Sequence, residues 1–135
     1  MTKKELSQIY YLSNEIDMWR KELNRLQTMS LIPSQEITGM PFSPGGKSDK
    51  TGNLASKKAD IRAKIAELQG KLIEEYSKLM NYIETIDDSI IRQIIYHRCI
   101  LCMQWGQVAR HVGGGNSADG LRKMLDRFLD DKEEK

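Results

Sequence analysis

The chain has 135 residues, 39% of them hydrophobic and 30% charged, a balance that suits helices with long solvated faces and excludes a disordered chain. Its formal net charge is only +2, so any electrostatic function has to come from how charge is distributed. No apolar run approaches the roughly 20 residues of a membrane span, and MTKKELSQIYYLS lacks the apolar stretch of a secretory signal. A cytoplasmic protein without membrane contact is expected, with no structural disulfide between Cys99 and Cys102.

The first element is an amphipathic helix. Ile9, Leu12, Ile16, Trp19, Leu23 and Leu26 recur at alternating steps of three and four, which is a heptad seam. Thr2 is placed to cap it, with Glu5 as the reciprocal partner of a capping box. The helix should run to Met29, and its seam is a candidate dimer or partner interface.

Residues 30–52 hold all three prolines (Pro33, Pro41, Pro44) with Gly39, Gly45, Gly46 and Gly52, so a loop is expected there. A second helix should start near Asn53, with Ile61, Ile65, Leu68, Leu72, Tyr76, Leu79 and Ile83 on its inner face. One four-residue step, Leu72 to Tyr76, departs from the heptad, and Gly70 inside the helix costs about 1 kcal/mol relative to Ala. The two helices could pair antiparallel within one chain or between two chains, and the pattern leaves both open. A homodimer is the expected oligomer.

Asp87, Asp88 and Ser89 end the second helix and favour a new N-terminus. A third helix over Ser89–Met103 should bury Ile90, Ile91, Ile94, Ile95 and Leu101. A short helix over Gln104–Val112 follows, with Trp105, Val108 and Val112 inward and the small Ala109 at a close crossing. Gly113, Gly114 and Gly115 supply a turn that needs positive φ. A last helix runs from Asn116 to Leu129, with Asn116 and Asp119 spaced as a capping box and Leu121, Leu125 and Phe128 inward, flanked by Met124 and Leu129.

This helix–glycine turn–helix has the form of a helix-turn-helix. Charge points the same way: between Ser89 and Leu129 six basic residues (Arg92, Arg98, Arg110, Arg122, Lys123, Arg127) face only Asp119 and Asp126. On such a recognition helix the N-terminal polar residues face the bases, which selects Asn116, Ser117, Asp119 and Lys123. Arg110, Arg122 and Arg127 suit phosphates. The expected organisation is therefore all-α: a helical hairpin arm resembling an antiparallel coiled coil over 1–85, a three-helix helix-turn-helix unit over 86–130 and an acidic tail over 131–135. The expected partner is double-stranded DNA.

The run from Ile90 through Arg98 to Trp105, Val108, Ala109, Val112 and Gly113 resembles region 4 of sigma-70 factors. The whole chain resembles short proteins of Gram-positive phages and prophages related to ArpU/RinA-type late transcriptional regulators. That likeness is carried by the long first helix, by Ile37–Pro41 with Gly45–Gly46 and Asp49, and by the stretch from Val112 to Leu129. The resemblance implies a role in transcription, with RNA polymerase as a candidate partner. The triple glycine departs from the sigma pattern by lengthening the turn.

Other chemistries find little footing. Cys99-x-x-Cys102 with His97 and His111 has zinc-like spacing, but its place within a helical apolar run reads as two small buried residues. Gly45-Gly46-Lys47-Ser48 resembles the end of a phosphate-binding loop but lacks the upstream strand and first glycine. Carboxylates are spread along solvated faces, so no catalytic residue, metal or cofactor is expected. The rival readings are a coiled-coil adaptor whose last helices only complete a bundle, and a DNA-packaging protein of the small-terminase kind.

Overall fold

The computed structural model describes residues 1–30 and 44–133, and the side chains of residues 1–29 and 52–132. Among these residues every regular element is helical and no strand occurs. The elements are α1 (Lys3–Leu6), α2 (Gln8–Ser30), α3 (Pro44–Glu84), α4 (Ser89–Ile95), α5 (Trp105–Val112) and α6 (Ala118–Glu133), with a wide π-type turn over Tyr96–Ile100 after α4.

The N-terminal cap forms as its residues dictate. Thr2 Oγ1 accepts from the Glu5 backbone N–H at 3.2 Å, and Glu5 Oε2 accepts from the Thr2 N–H at 2.7 Å. The donated backbone hydrogen bond from Thr2 holds the Glu5 carboxyl below the usual carboxylate range. After Ser7 the backbone ladder continues through Tyr11 N–H to Ser7 O, and α2 runs one residue past the expected Met29.

The second long helix starts earlier than composition suggests. Its first residue is Pro44, well before Asn53, so the loop expected over 30–52 does not extend through residues 44–52. Proline at the first helical position loses no hydrogen bond, because that N–H has no partner in any helix. Gly45, Gly46 and Gly52 each weaken a helix by about 1 kcal/mol but do not forbid it. Pro33, Gly39 and the Ile37–Pro41 motif lie outside the described residues.

The end of α3 tightens through Thr85 N–H to Tyr82 O and Ile86 N–H to Ile83 O. Asp88 then caps α4, its Oδ1 accepting from the Ile90 N–H at 2.9 Å. The helix expected to continue to Met103 ends earlier. Leu101 N–H reaches back to Tyr96 O and Met103 N–H to His97 O, both wider than an α-helical step. Cys102 stops the chain with φ of 57°, a left-handed conformation that costs a non-glycine residue of order 1 kcal/mol. Cys102 therefore lies beyond the helix rather than within it.

Contacts divide the chain into two compact units, residues 1–13 with 71–135, and residues 14–70. This differs from a boundary between 85 and 86. The reason is that α1, the first turn of α2 and the end of α3 bury Leu6, Ile9, Leu79 and Ile83 in one cluster with Ile91, Ile94, Ile95, Val108, Leu121, Leu125 and Leu129. In the other unit Ile16 and Leu26 of α2 and Ile61, Ile65 and Leu68 of α3 are buried, and the Lys64 ammonium sits 4.5 Å from the centre of the Trp19 ring. Leu12, Trp19 and Leu23 are half-buried.

Three apolar positions depart from the expected inner faces. Tyr76 is 46% exposed because the α3 seam keeps its heptad step through the half-buried Glu75 between Leu72 and Leu79. Ile90 stays at the surface of the first turn of α4, and Leu101 is turned outward where the helix has already ended.

Candidate nucleic-acid interface

The short helix α5 is capped by Gln104, whose backbone N–H donates to Gln107 Oε1 at 3.2 Å. Its inner face is the expected one. Val108 is completely buried, and Trp105, Ala109 and Val112 pack half-buried against the core. Gly113 N–H closes the helix on Ala109 O at 2.9 Å. Gly113, Gly114 and Gly115 then take φ of 69°, 67° and 78° in succession. Only glycine adopts three consecutive left-handed residues without steric cost, which accounts for the triplet.

The cap of α6 is not the one its sequence spacing suggested. Ser117 Oγ accepts from the Gly120 N–H at 3.0 Å, and Leu121 N–H bonds Ser117 O, so Ser117 is the capping residue. Asn116 is half-buried and its Nδ2 donates to Gly113 O at 3.0 Å. It braces the glycine turn, and its side-chain amide is occupied there. Asp119 pairs forward along the helix and not back to a cap.

On α6 the inner face is Leu121, Leu125 and Leu129, with Met124 and Phe128 half-buried. Phe128 and Leu129 thus exchange their expected roles. The outer face carries Asp119, Lys123 and Arg127, all exposed, with Arg122 beside them. Asp119 sits between two cations, 2.6 Å from the Arg122 guanidinium and 3.1 Å from the Lys123 ammonium. The hydrogen bond from Arg122 first, and that from Lys123 next, hold its carboxyl below the usual range. These pairs are solvent-exposed and contribute little to stability, so an incoming phosphate can replace the carboxylate. Arg110 and Arg127 are exposed and form no ion pair among the described residues.

Several neighbours of this surface escaped sequence reasoning. Arg98 lies over the Trp105 ring at 5.1 Å and donates to Met103 O at 2.7 Å, so its charge braces the start of α5. Lys3 pairs with Asp126 at 2.8 Å, joining α1 to the flank of α6. His97 and His111 stack, ring centres 5.0 Å apart and planes 19° from parallel. Burial first, and the nearby His111 second, lower the His97 pKa, and its Nδ1 is buried with no partner. None of these has a signal in sequence spacing, since each joins segments distant along the chain or depends on the π-type turn.

The cysteine pair offers little to a metal. Burial pushes the Cys99 thiol up to about 12 and raises Cys102 as well, whereas zinc binds the thiolate. Among the described residues no cluster of three His, Cys, Asp or Glu side chains is arranged to hold a metal ion. Among them, too, no helix is long and apolar enough to cross a membrane.

Comparison of the chain with protein-family models, with curated proteins and with solved structures finds no match in any of the three.

Proposed function

We propose that α5, the glycine turn and α6 act as a helix-turn-helix and that the protein is a DNA-binding transcriptional regulator. The observation that carries this reading is the exposed face of α6. It follows a capped turn, is held rigidly by the completely buried Val108 and Leu121, and presents Lys123 and Arg127 with Arg110 of α5 on the solvent side. Rigid backing with a cationic outer face is what insertion of a helix into a major groove requires. Lys123 and Ser117 are the base-facing side chains in this reading, and Arg110, Arg122 and Arg127 contact phosphates.

The transcriptional half of the proposal is supported by the resemblance of the Trp105–Gly113 run to sigma-70 region 4, and of the chain to phage and prophage late regulators. In this reading the protein works in the cytoplasm beside RNA polymerase, as a homodimer, and α2 with α3 forms an antiparallel helical hairpin. The hairpin is supported by the burial of both seams and by Lys64 lying over Trp19.

The experiment is fluorescence polarisation of labelled duplex DNA across a salt series. Binding should weaken linearly on a log–log scale, with a slope near −0.9 per phosphate neutralised. Arg127→Ala should weaken all sequences alike and flatten that slope by about one, while Lys123→Ala should also relax sequence preference. Asp119→Asn, which frees two cations, should strengthen binding. Absence of salt-sensitive binding at micromolar protein would sink the proposal.

A further inference from the structure

A cleft of about 370 Å³ opens in the unit formed by residues 1–13 and 71–135, between the N-terminal helical turns and α5–α6. Its apolar lining is Leu6, Leu125 and Leu129, all buried. Around these stand three cations: Lys3, paired with Asp126 at 2.8 Å, Arg122, paired with Asp119 at 2.6 Å, and Arg98, which has no carboxylate partner among the described residues. Trp105 lines it as well, with Tyr10 and Tyr11, which are 45% and 63% exposed, their rings edge to face at 5.3 Å.

We propose that this cleft docks an acidic peptide segment of a partner protein that carries an apolar anchor side chain. The volume fits one or two side chains, at the lower end of the usual range for binding pockets. The charge left without a carboxylate is that of Arg98, which is positive, so the complementary occupant is acidic. Tyrosine, tryptophan and arginine around an apolar pit are the residues that dominate protein–protein binding energy, and exposed tyrosines offer contact area at low entropic cost. A nucleic-acid strand fits less well. The Tyr10 and Tyr11 planes stand 79° apart, so the pair offers no continuous platform for two successive stacked bases.

The cleft and the exposed face of α6 share Arg122 and are otherwise distinct. At 100° per residue, Arg122, Leu125, Asp126 and Leu129 lie roughly a third of a turn around the helix from Lys123 and Arg127. A peptide in the cleft leaves those cations free, so the inference holds whether or not the DNA reading does.

The test uses the full chain and a fluorescein-labelled decapeptide with a central Leu-Phe pair flanked by Asp and Glu. Its anisotropy should saturate with protein, and binding should weaken with salt. Tyr11→Ala, which removes an exposed ring and leaves the core intact, should weaken it about tenfold, as should Lys3→Glu. Lys123→Ala should bind as the parent does, and a peptide with Lys in place of the acidic residues should not bind. Circular dichroism confirms that each variant is folded. Failure to saturate at millimolar protein, or unchanged affinity in folded Tyr11→Ala, overturns the proposal. So does an oligothymidylate that displaces the peptide and loses its own binding in Tyr11→Ala, which would make the occupant nucleic acid.

Discussion

The two compact units differ in how completely they exclude water. In the unit of residues 1–13 and 71–135, Ile94, Ile95, Val108, Leu121 and Leu129 are essentially inaccessible, because six helices contribute to the core around them. Among the described residues of 14–70 the best-buried side chains, Ile16 and Leu26, keep 4% and 5% exposure, and Ile61 and Ile65 keep 9%. A helix with few neighbours is buried along one stripe, whereas several helices enclose a volume. The difference teaches where rigidity is concentrated: beneath the turn and helix proposed to meet DNA.

Truncation at matched positions tests this most strongly. Leu121→Ala should cost near the upper end of the usual range of about 2–5 kcal/mol, because Leu121 is completely buried. Leu68→Ala, 7% exposed in the two-helix unit, should cost near the lower end. Chemical denaturation of both variants measures the gap, and equal losses would erase the distinction.

Glycine substitutions sharpen the comparison from the backbone side. Gly114 has φ of 67°, so Gly114→Ala should destabilise by roughly 1–2 kcal/mol and disturb the approach of α6. Gly70 lies inside α3, and a Cβ there meets nothing within 4 Å. Gly70→Ala should therefore stabilise by up to about 1 kcal/mol, a rise visible in thermal melting. The same substitution thus has opposite signs in the two units.

The smallest expected effect is a pH dependence confined to the first unit. Because the fold lowers the pKa of His97, it favours the neutral ring. Stability linked to His97 is then complete above the ordinary imidazole pKa of about 6.5, and falls as pH drops toward the lower folded value. His97→Gln should reduce the loss of stability between about pH 6.5 and pH 5. An unchanged pH profile would remove His97 as its source.

Local chemistry made much of this legible beforehand. Thr2 with Glu5, the α2 seam, Val108 on the inner face of α5 and the glycine triplet all depend on short-range rules, and each forms as those rules require. Misreadings arose where two local solutions compete. Asn116 and Ser117 can both cap α6, and Asn116 is drawn instead to Gly113 O. Pro44 can end a loop or begin a helix. Tyr76 and Glu75 can both follow Leu72, and it is Glu75 that is half-buried while Tyr76 is exposed. The attachment of Lys3 to Asp126 had no sequence signal, since such a contact exists only once the fold has formed.

The claim at the centre of this account is that the exposed face of α6 meets duplex DNA. Amide NMR of the full chain during titration with duplex DNA tests it directly. Shifts should concentrate on the glycine turn and on residues 117–127, with Lys123 and Arg127 among the largest, and should fade as salt is raised. Shifts confined to residues 14–70, or none at all at low salt, would contradict it.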